Sequence, residues 1–468
     1  MPDRDWRWGL RKGPPSSFEF LYRCHGSQSS VHVITRPVSR ILLVDADAFF
    51  VAVARAVDPA GAGRAPLLIV GGRPSSRGVV CSASYETRAF GVRSGMPISQ
   101  ALQLCPQATC VPVPRTACAD TSRAIRRVLD DFTPVVEGAS IDEWYLDLTG
   151  TEALYQHEPV AETARRIRDS VSARTGMRVS IGAGPNKLVA KLAAERAKPK
   201  PGSGATGVFV VEEGAVEPFM RSLALADIPG IGPKLQEKLA KVGLVTVSDA
   251  LDARAEDLAR WLGRETAYRV LRKSRGESDA AVEARTPAKQ VSREETFDRD
   301  LSEVAALHRE LQILAHRVAA DLRGDAQEAR TVTVKVRDQR FATRTMSRTF
   351  DAPISSDAAI AAAARDLFDA LRHGWTAPVR LAGVALSKFS PARAAEQREL
   401  FGEPATAPRG PAGAVQTALT GGAAPESARD RALSRAVDRV RERFGDGSIQ
   451  TGLPRERPLG EKGARKPR

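Results

Sequence analysis

Residues 41–54 read Ile41-Leu42-Leu43-Val44-Asp45-Ala46-Asp47-Ala48-Phe49-Phe50-Val51-Ala52-Val53-Ala54. A short, uninterrupted apolar run is the pattern of a buried strand, and this one closes on two acidic residues, Asp45 and Asp47. The stretch 49–56 then reads as a helix. Apolar runs of strand length recur at 66–70, 78–81, 144–148, 178–181 and 207–211, with helical patterns near 98–105, 117–131, 160–174 and 186–197. Strands alternating with helices predict an α+β or α/β domain over 39–215.

A second acidic cluster, Ser140-Ile141-Asp142-Glu143, enters the strand-like run Trp144-Tyr145-Leu146-Asp147-Leu148. Taken singly, an acidic pair is usually a turn or a solvated position. Carboxylates at two strand ends of a basic protein repel one another and desolvate poorly. A divalent cation with hard oxygen ligands resolves that conflict, and Mg²⁺ is commonly bound by a few carboxylates together with substrate phosphates.

The chain has 468 residues, with 70 Lys+Arg against 56 Asp+Glu and a net charge of +14. At about 100–200 residues per domain this predicts two to four domains. Hydrophobic content of 42% and charged content of 27% place it in the globular class rather than the disordered one. No apolar run approaches the roughly 18–20 residues that span a bilayer, so no membrane partner is expected. The opening residues lack the apolar core of a signal peptide. Five cysteines without a C-x-x-C pair predict a reduced, intracellular chain without a zinc site. The positive balance favours a polyanionic partner such as nucleic acid. There is no Walker A motif, which excludes that class of ATPase, and the six histidines are scattered.

Residues 1–38 lack periodicity and read as a flexible N-terminal extension. The pattern turns helical over 216–278, and a polar linker covers 279–290. A small α+β module over 291–390 reads as strand, helix, two strands, helix, strand. The remainder, 391–468, reads as mostly disordered, with a helix at 426–444.

Five segments occur in order: 41–54 as quoted, SYETRAFGVRSGMP at 84–97, SIDEWYLDLTG at 140–150, SIGAGPNKLVAKLAAERAKP at 180–199 and IPGIGPKLQEKL at 228–239. Together they resemble the Y-family DNA polymerases, most closely the bacterial DinB (DNA polymerase IV) branch, over about 40–390. The resemblance implies an α+β multidomain right hand. Its parts would be a palm with inserted fingers at 39–215, a helical thumb with a helix-hairpin-helix at 216–278, and an α+β little finger at 291–390. It implies an error-prone, template-directed polymerase acting in translesion synthesis and DNA repair, without proofreading. Such an enzyme would be monomeric, cytoplasmic and nucleoid-associated. Two rivals are a catalytically silent DNA-binding scaffold of the same family, and a repair nuclease or glycosylase gripping DNA with the same hairpin. The second would need a nucleophile or base near 227–245, and none stands there.

Residue by residue, the resemblance places two Mg²⁺ ions, with Mn²⁺ as a substitute, on Asp45, the Ala46 main chain, Asp142 and Glu143. Phe50 takes the place of the aromatic steric gate that excludes a 2′-hydroxyl, while Phe49 reads as core. Tyr85 and Arg88, three apart at a helix start, would project to one side and meet the triphosphate of a deoxynucleotide. Lys198 takes the place of a further triphosphate ligand. Lys200 competes with it, because this turn runs KPKPGSGATG where relatives close it sooner. Trp144 also departs from the family pattern.

In Ile228-Pro229-Gly230-Ile231-Gly232-Pro233-Lys234, Gly230 and Gly232 let backbone N–H groups approach phosphates of primer–template DNA. Between 330 and 348 lie Arg330, Lys335, Arg337, Arg340, Arg344 and Arg348 against Asp338 alone. Strand alternation puts Lys335 and Arg337 opposite Val332, Val334 and Val336, which suits a sheet lying along phosphates. Gln397-Arg398-Glu399-Leu400-Phe401 resembles the peptide by which bacterial polymerases bind the sliding β-clamp, with Gln397, Leu400 and Phe401 as anchors.

Overall fold

A computed structural model of the chain describes residues 39–199, 204–284, 288–392, 426–445 and 448–449. The extension at 1–38, Lys200 and the peptide 397–401 lie outside the described residues. The elements run β1 (Ile41–Ala46), α1 (Phe49–Val57), β2 (Leu68–Gly71), β3 (Val80–Ala83), α2 (Tyr85–Ala89), α3 (Ile98–Leu104), β4 (Thr109–Pro112) and α4 (Arg115–Leu129). They continue with β5 (Val136–Gly138), β6 (Glu143–Asp147), α5 (Val160–Thr175), β7 (Val179–Gly184), α6 (Lys187–Ala197) and β8 (Val208–Val210). Helices α7 (Val216–Arg221), α8 (Pro233–Lys241), α9 (Val247–Asp252), α10 (Ala255–Leu262) and α11 (Arg264–Ser274) follow. The chain then forms β9 (Gln290–Leu301), α12 (Val304–Gly324), β10 (Gln327–Asp338), β11 (Thr343–Ile354), α13 (Asp357–Arg372), β12 (Val379–Pro391) and α14 (Ala428–Phe444). Two compact units result. One gathers residues within 1–71, 80–94 and 104–286, the other residues within 72–79, 95–103 and 287–468.

The first unit is built on a five-stranded sheet of order β5-β6-β1-β7-β8. All six residues of β1 are buried because it is the central strand, paired antiparallel with β6 and β7. Alternation sorts its side chains between two layers. Leu42, Val44 and Ala46 join Phe49, Trp144, Ile125 and Ile167 in a core with α4 and α5. Ile41 and Leu43 pack with Tyr145, Ala190 and Ala194 on the α6 side. Trp144 is therefore a core residue beneath the sheet. Helix α6 lies so close to β7 that a Cβ on Gly182 would fall 2.0 Å from the Ala194 nitrogen, so glycine is required there. A smaller sheet, β3-β2-β4, flanks α1. Helices α7 to α11 form a core around Met220, Leu239, Leu258 and Val270, joined by Leu188 and Leu192 of α6.

The segment after α11, expected as a linker, forms no helix or strand before β9 among its described residues. It is nonetheless held down. Val282 is buried against Ile41, Leu43 and Tyr145. The Glu283 N–H donates to Glu137 at 2.9 Å, and Lys187, paired with Glu137 at 2.6 Å, donates to the Ala281 carbonyl at 3.4 Å. One apolar residue and one partly buried ion pair thus order a stretch whose composition reads as linker.

The second unit contains the sheet β11-β10-β12-β9, antiparallel throughout, with α12 and α13 on one face. Val332, Val334 and Val336 point into that core, as alternation predicts. Helix α14 belongs to this unit and is docked. Arg323, only 6% exposed in its side chain, pairs with Asp357 at 2.7 Å and Asp438 at 2.6 Å. The Asp357 N–H donates to Ser434, and Val437 is buried. Burying the guanidinium costs desolvation, which two carboxylates and the Ser355 carbonyl offset. The sequence predicts a helix at 426–444, and α14 occupies Ala428–Phe444; what the sequence does not show is its docking on this unit. Among the described residues no helix is long and apolar enough to cross a membrane.

Candidate active site

The register of β1 against β6 sets Asp45 directly opposite Glu143. Directly opposite residues share a face with Cβ atoms about 4.5–5.5 Å apart, here the α6 side. The Ala46 N–H donates to the Asp142 carbonyl at 2.9 Å, which locks the second acidic cluster beside the end of β1. Ala48 then takes a left-handed conformation (φ 45°), a strained state for a residue with a Cβ, and turns the chain sharply into α1. That turn buries Phe49 in the core and leaves Phe50 half-buried in the lining of a cavity of about 200 Å³. Asp45, Ala46, Asp142 and Glu143 line the cavity together with Phe50, Tyr85, Arg88 and Lys198. Eight positions read from four separate motifs thus share one space.

Tyr85 and Arg88 open α2, capped by Ser84, whose hydroxyl accepts the Thr87 N–H. They lie on one side, with the guanidinium 4.9 Å from the Tyr85 ring centre. Arg88 also donates from Nε to the Ala83 carbonyl at 2.9 Å, which aims the fork. Burial raises the Tyr85 hydroxyl above its ordinary range, so it stays protonated and can donate.

The carboxylates hold ammonium groups. Lys198, at the end of α6, reaches Asp45 Oδ2 at 2.8 Å and also pairs with Glu195. Lys191 donates to both oxygens of Glu143, at 2.6 and 2.8 Å. Asp142 accepts from the Ser140 hydroxyl. Burial pushes the Asp45 carboxyl up to about 7 from 3.8, against the pull of Lys198 and with the repulsion of Glu143. Burial alone would lower Lys198, but Asp45 and Glu195 hold it above its ordinary value. Asp47 is raised by burial too, while accepting from Ser180 at 2.7 Å.

A carboxyl whose pKa is higher folded than unfolded favours the fold when protonated, and this contribution disappears as pH rises through its folded value. The metal-free protein should therefore lose thermal stability as pH rises through about 7. In Asp45→Asn the fall should be shallower. Melting curves taken from about pH 5 to about pH 8 check this; identical slopes in the two proteins would refute it.

Among the described residues, no three His, Cys, Asp or Glu side chains converge closely enough to hold a metal as they stand. The donor chemistry nevertheless fits divalent cations. Three carboxylates and a main-chain segment are collected in one cavity, and Asp45 is desolvated with, among the described residues, the Lys198 ammonium to balance it. Asp45 and Glu143 are each paired with a lysine. Lys191 and Ser180 were missed from sequence. The seven-residue spacing of Lys191 and Lys198 along one helical pattern was the available signal.

Elsewhere in the first unit, Gly230 has φ +87°, a conformation that favours glycine, and Gly232 caps α8. Lys234 is exposed in the first turn of α8. Lys273, unnoticed in the sequence, donates to the Pro229 carbonyl beside this hairpin. In the second unit, Lys335 and Arg337 lie on the face opposite the core, but Lys335 is paired with Glu294 at 2.9 Å. The register explains the pairing: Lys335 opposes Gly383, Gly383 opposes Glu294, and the glycine lets the two side chains meet across β12. Arg337 donates to Thr343 at 2.8 Å. Arg344 and Arg348 oppose the buried Val336 and Val332 and so belong to the other face. The basic face is smaller than the sequence count suggests.

Residues 44–195 match the impB/mucB/samB family, residues 288–400 its C-terminal domain, and residues 213–244 the IMS family HHH motif. A DNA polymerase IV of Dehalococcoides mccartyi is 34% identical over 415 residues, covering 89% of this chain and 97% of that protein. One of Methanoculleus marisnigri is 40% identical over 354 residues, covering 75% and 94%. Among solved structures, a Y-family DNA polymerase chimera of Dbh and Dpo4 superposes with a TM-score of 0.66 at 26% identity, covering 75% of this chain and 98% of that one. An insertion ternary complex of Dbh DNA polymerase gives 0.54 at 27% identity, covering 74% and 98%.

Proposed function

The chain belongs to the impB/mucB/samB family of Y-family DNA polymerases and is a DNA-directed DNA polymerase; from that premise we propose that it carries out error-prone translesion synthesis in DNA repair, without proofreading. The observation that carries this reading is the single cavity that collects Asp45, Asp142 and Glu143 with Phe50, Tyr85, Arg88 and Lys198. Members of this family depend on divalent metal. In our reading two ions, Mg²⁺ or Mn²⁺ in its place, would be held by Asp45, the Ala46 main chain, Asp142 and Glu143. When bound, such ions offset triphosphate charge and favour ionisation of the primer 3′-hydroxyl.

The chain's own residues do the rest. Asp45 and Glu143, fixed opposite each other by strand pairing, set the spacing of the negative charge. Arg88 offers forked donors and Tyr85 a hydroxyl to the phosphates of the incoming deoxynucleotide, with Lys198 as a further cation. Lys200 remains its competitor. Phe50 closes the floor under the sugar. Gly230, Gly232 and Lys234 grip the backbone of primer–template DNA without regard to sequence, and Lys335 and Arg337 extend that grip. A fold neighbour solved as an insertion ternary complex supports DNA and nucleotide as partners.

The parts would be palm with fingers at 39–215, thumb at 216–278, linker at 279–290 and little finger at 291–390. We extend the proposal to a monomer in the cytoplasm, associated with the nucleoid, that binds the sliding β-clamp through Gln397, Leu400 and Phe401. The test is extension of a primed template, plain and damaged, with each nucleotide supplied singly and Mg²⁺ present. Incorporation dictated by the template base is expected, continuing past the lesion. DNA binding without incorporation would identify a silent scaffold instead.

A further inference from the structure

Helix α6 supplies two lysines to the carboxylates of the cavity: Lys198, which lines it and already has a role, and Lys191, which does not line it but holds Glu143. Lys191 and Lys198 are seven residues apart, just under two helical turns, and so lie on one side of the helix. Each reaches a different strand: Lys191 holds both oxygens of Glu143 on β6, and Lys198 holds Asp45 on β1. The close seat of α6 on Gly182 fixes the helix backbone that carries both lysines close to β7. The Lys191–Glu143 pair is also sheltered, with side chains 31% and 21% exposed.

We propose that Lys191 is a positioning residue for nucleotidyl transfer. In the cation-free protein its ammonium stands where positive charge is needed, keeping Glu143 aimed into the cavity beside Asp45. An arriving divalent cation competes with it for the same two oxygens. Without Lys191, Glu143 would face the Asp45 charge with nothing to hold it in place, and its side chain would turn away. Two effects of Lys191 on cation binding therefore oppose each other. Pre-aiming Glu143 saves the rotamer freedom of one side chain. Repulsion between an ammonium and a doubly charged ion within a few ångströms is the larger effect. Lys191 thus weakens binding of a lone cation while keeping Glu143 in the geometry that catalysis uses.

This inference rests on the reading of Glu143 as a cation ligand, and the experiment separates the two. Mn²⁺ binding is measured calorimetrically on the full chain without DNA or nucleotide, for the wild type, Lys191→Met, Lys191→Arg and Glu143→Gln. Lys191→Met should bind Mn²⁺ about tenfold more tightly than wild type, the low end of what a neighbouring charge does at a partly exposed site. Lys191→Arg, which keeps the charge and settles any doubt about folding, should stay near wild type. In single-nucleotide extension, Lys191→Met should lower kcat about tenfold with KM little changed, and Lys191→Arg should restore much of it. Unchanged Mn²⁺ affinity or unchanged kcat in Lys191→Met overturns the proposal. If Glu143→Gln also binds Mn²⁺ as tightly as wild type, the ligand assignment of Glu143 falls with it. Weakened binding in Glu143→Gln, with Lys191→Met unchanged, removes the lysine's role alone.

Discussion

Asp45→Ala and Glu143→Ala should each lower primer extension about a thousandfold or more while leaving DNA binding near wild type. The magnitude follows from the several kcal/mol that bound cations contribute to phosphoryl transfer, at about 1.4 kcal/mol per factor of ten. Both residues sit at the middle of the five-stranded sheet, facing each other across β1 and β6. Removing either leaves the strand pairing intact, because that pairing is made by the backbone. Loss of activity would therefore not reflect loss of fold. Asp45→Ala even relieves the fold of a buried carboxyl whose pKa burial has pushed to about 7, at the cost of leaving Lys198 with Glu195 alone. The proposed DNA contacts, Gly230, Gly232, Lys335 and Arg337, are on other elements. Extension assays in Mg²⁺, mobility-shift titrations and melting curves on the same preparations check the three parts. Extension within a few-fold of wild type by either variant would remove the assignment.

Phe50→Ala should raise ribonucleotide use relative to deoxynucleotide use by about a hundredfold. That is roughly the discrimination an apolar surface achieves against one added hydroxyl. The ring is half-buried in the cavity lining, in edge contact with Phe49, whose ring centre is 5.7 Å away. Phe49 is buried in the core, 2% exposed. The two neighbours therefore give opposite phenotypes. Phe49→Ala should cost about 3–5 kcal/mol of stability, as buried aromatics do, with sugar selectivity unchanged among the molecules that remain folded. Phe50→Ala should cost less stability and change selectivity instead. Single-nucleotide kinetics with matched ribo- and deoxynucleotides, beside denaturant melts, measure both. Equal discrimination in Phe50→Ala and wild type would mean that the ring does not lie under the sugar.

Much of this was legible along the chain. The strand before Asp45, the helix after it, Tyr85 and Arg88 at the start of α2, and the strand-helix-strand-strand-helix-strand order of 291–390 are local patterns. Each was set by apolar periodicity or a cap within a dozen residues. What escaped were the ion pairs made by distant positions meeting. Lys191 reads as one more polar residue of an amphipathic helix until α6 packs over β7 and β1 and its side chain reaches Glu143 on β6. Lys335 reads as a free phosphate contact until Gly383 lets Glu294 reach it from two strands away. Helix α14 was visible as a helix, but its dock depended on Arg323, which lies 115 residues from Asp438.

By itself the sequence determined the kind of chemistry: which carboxylates, ring and cations are present, and in which order the elements carry them. Periodicity and motif spacing are properties of neighbours on the chain, so they can be read there. The tertiary structure alone decided that Asp45 faces Glu143, that each carboxylate already holds a lysine, and that a neighbouring glutamate trims the basic face of the second unit. Strand register and helix seating bring those charges within a few ångströms. Coulomb and desolvation energies depend on that separation and burial, not on distance along the chain.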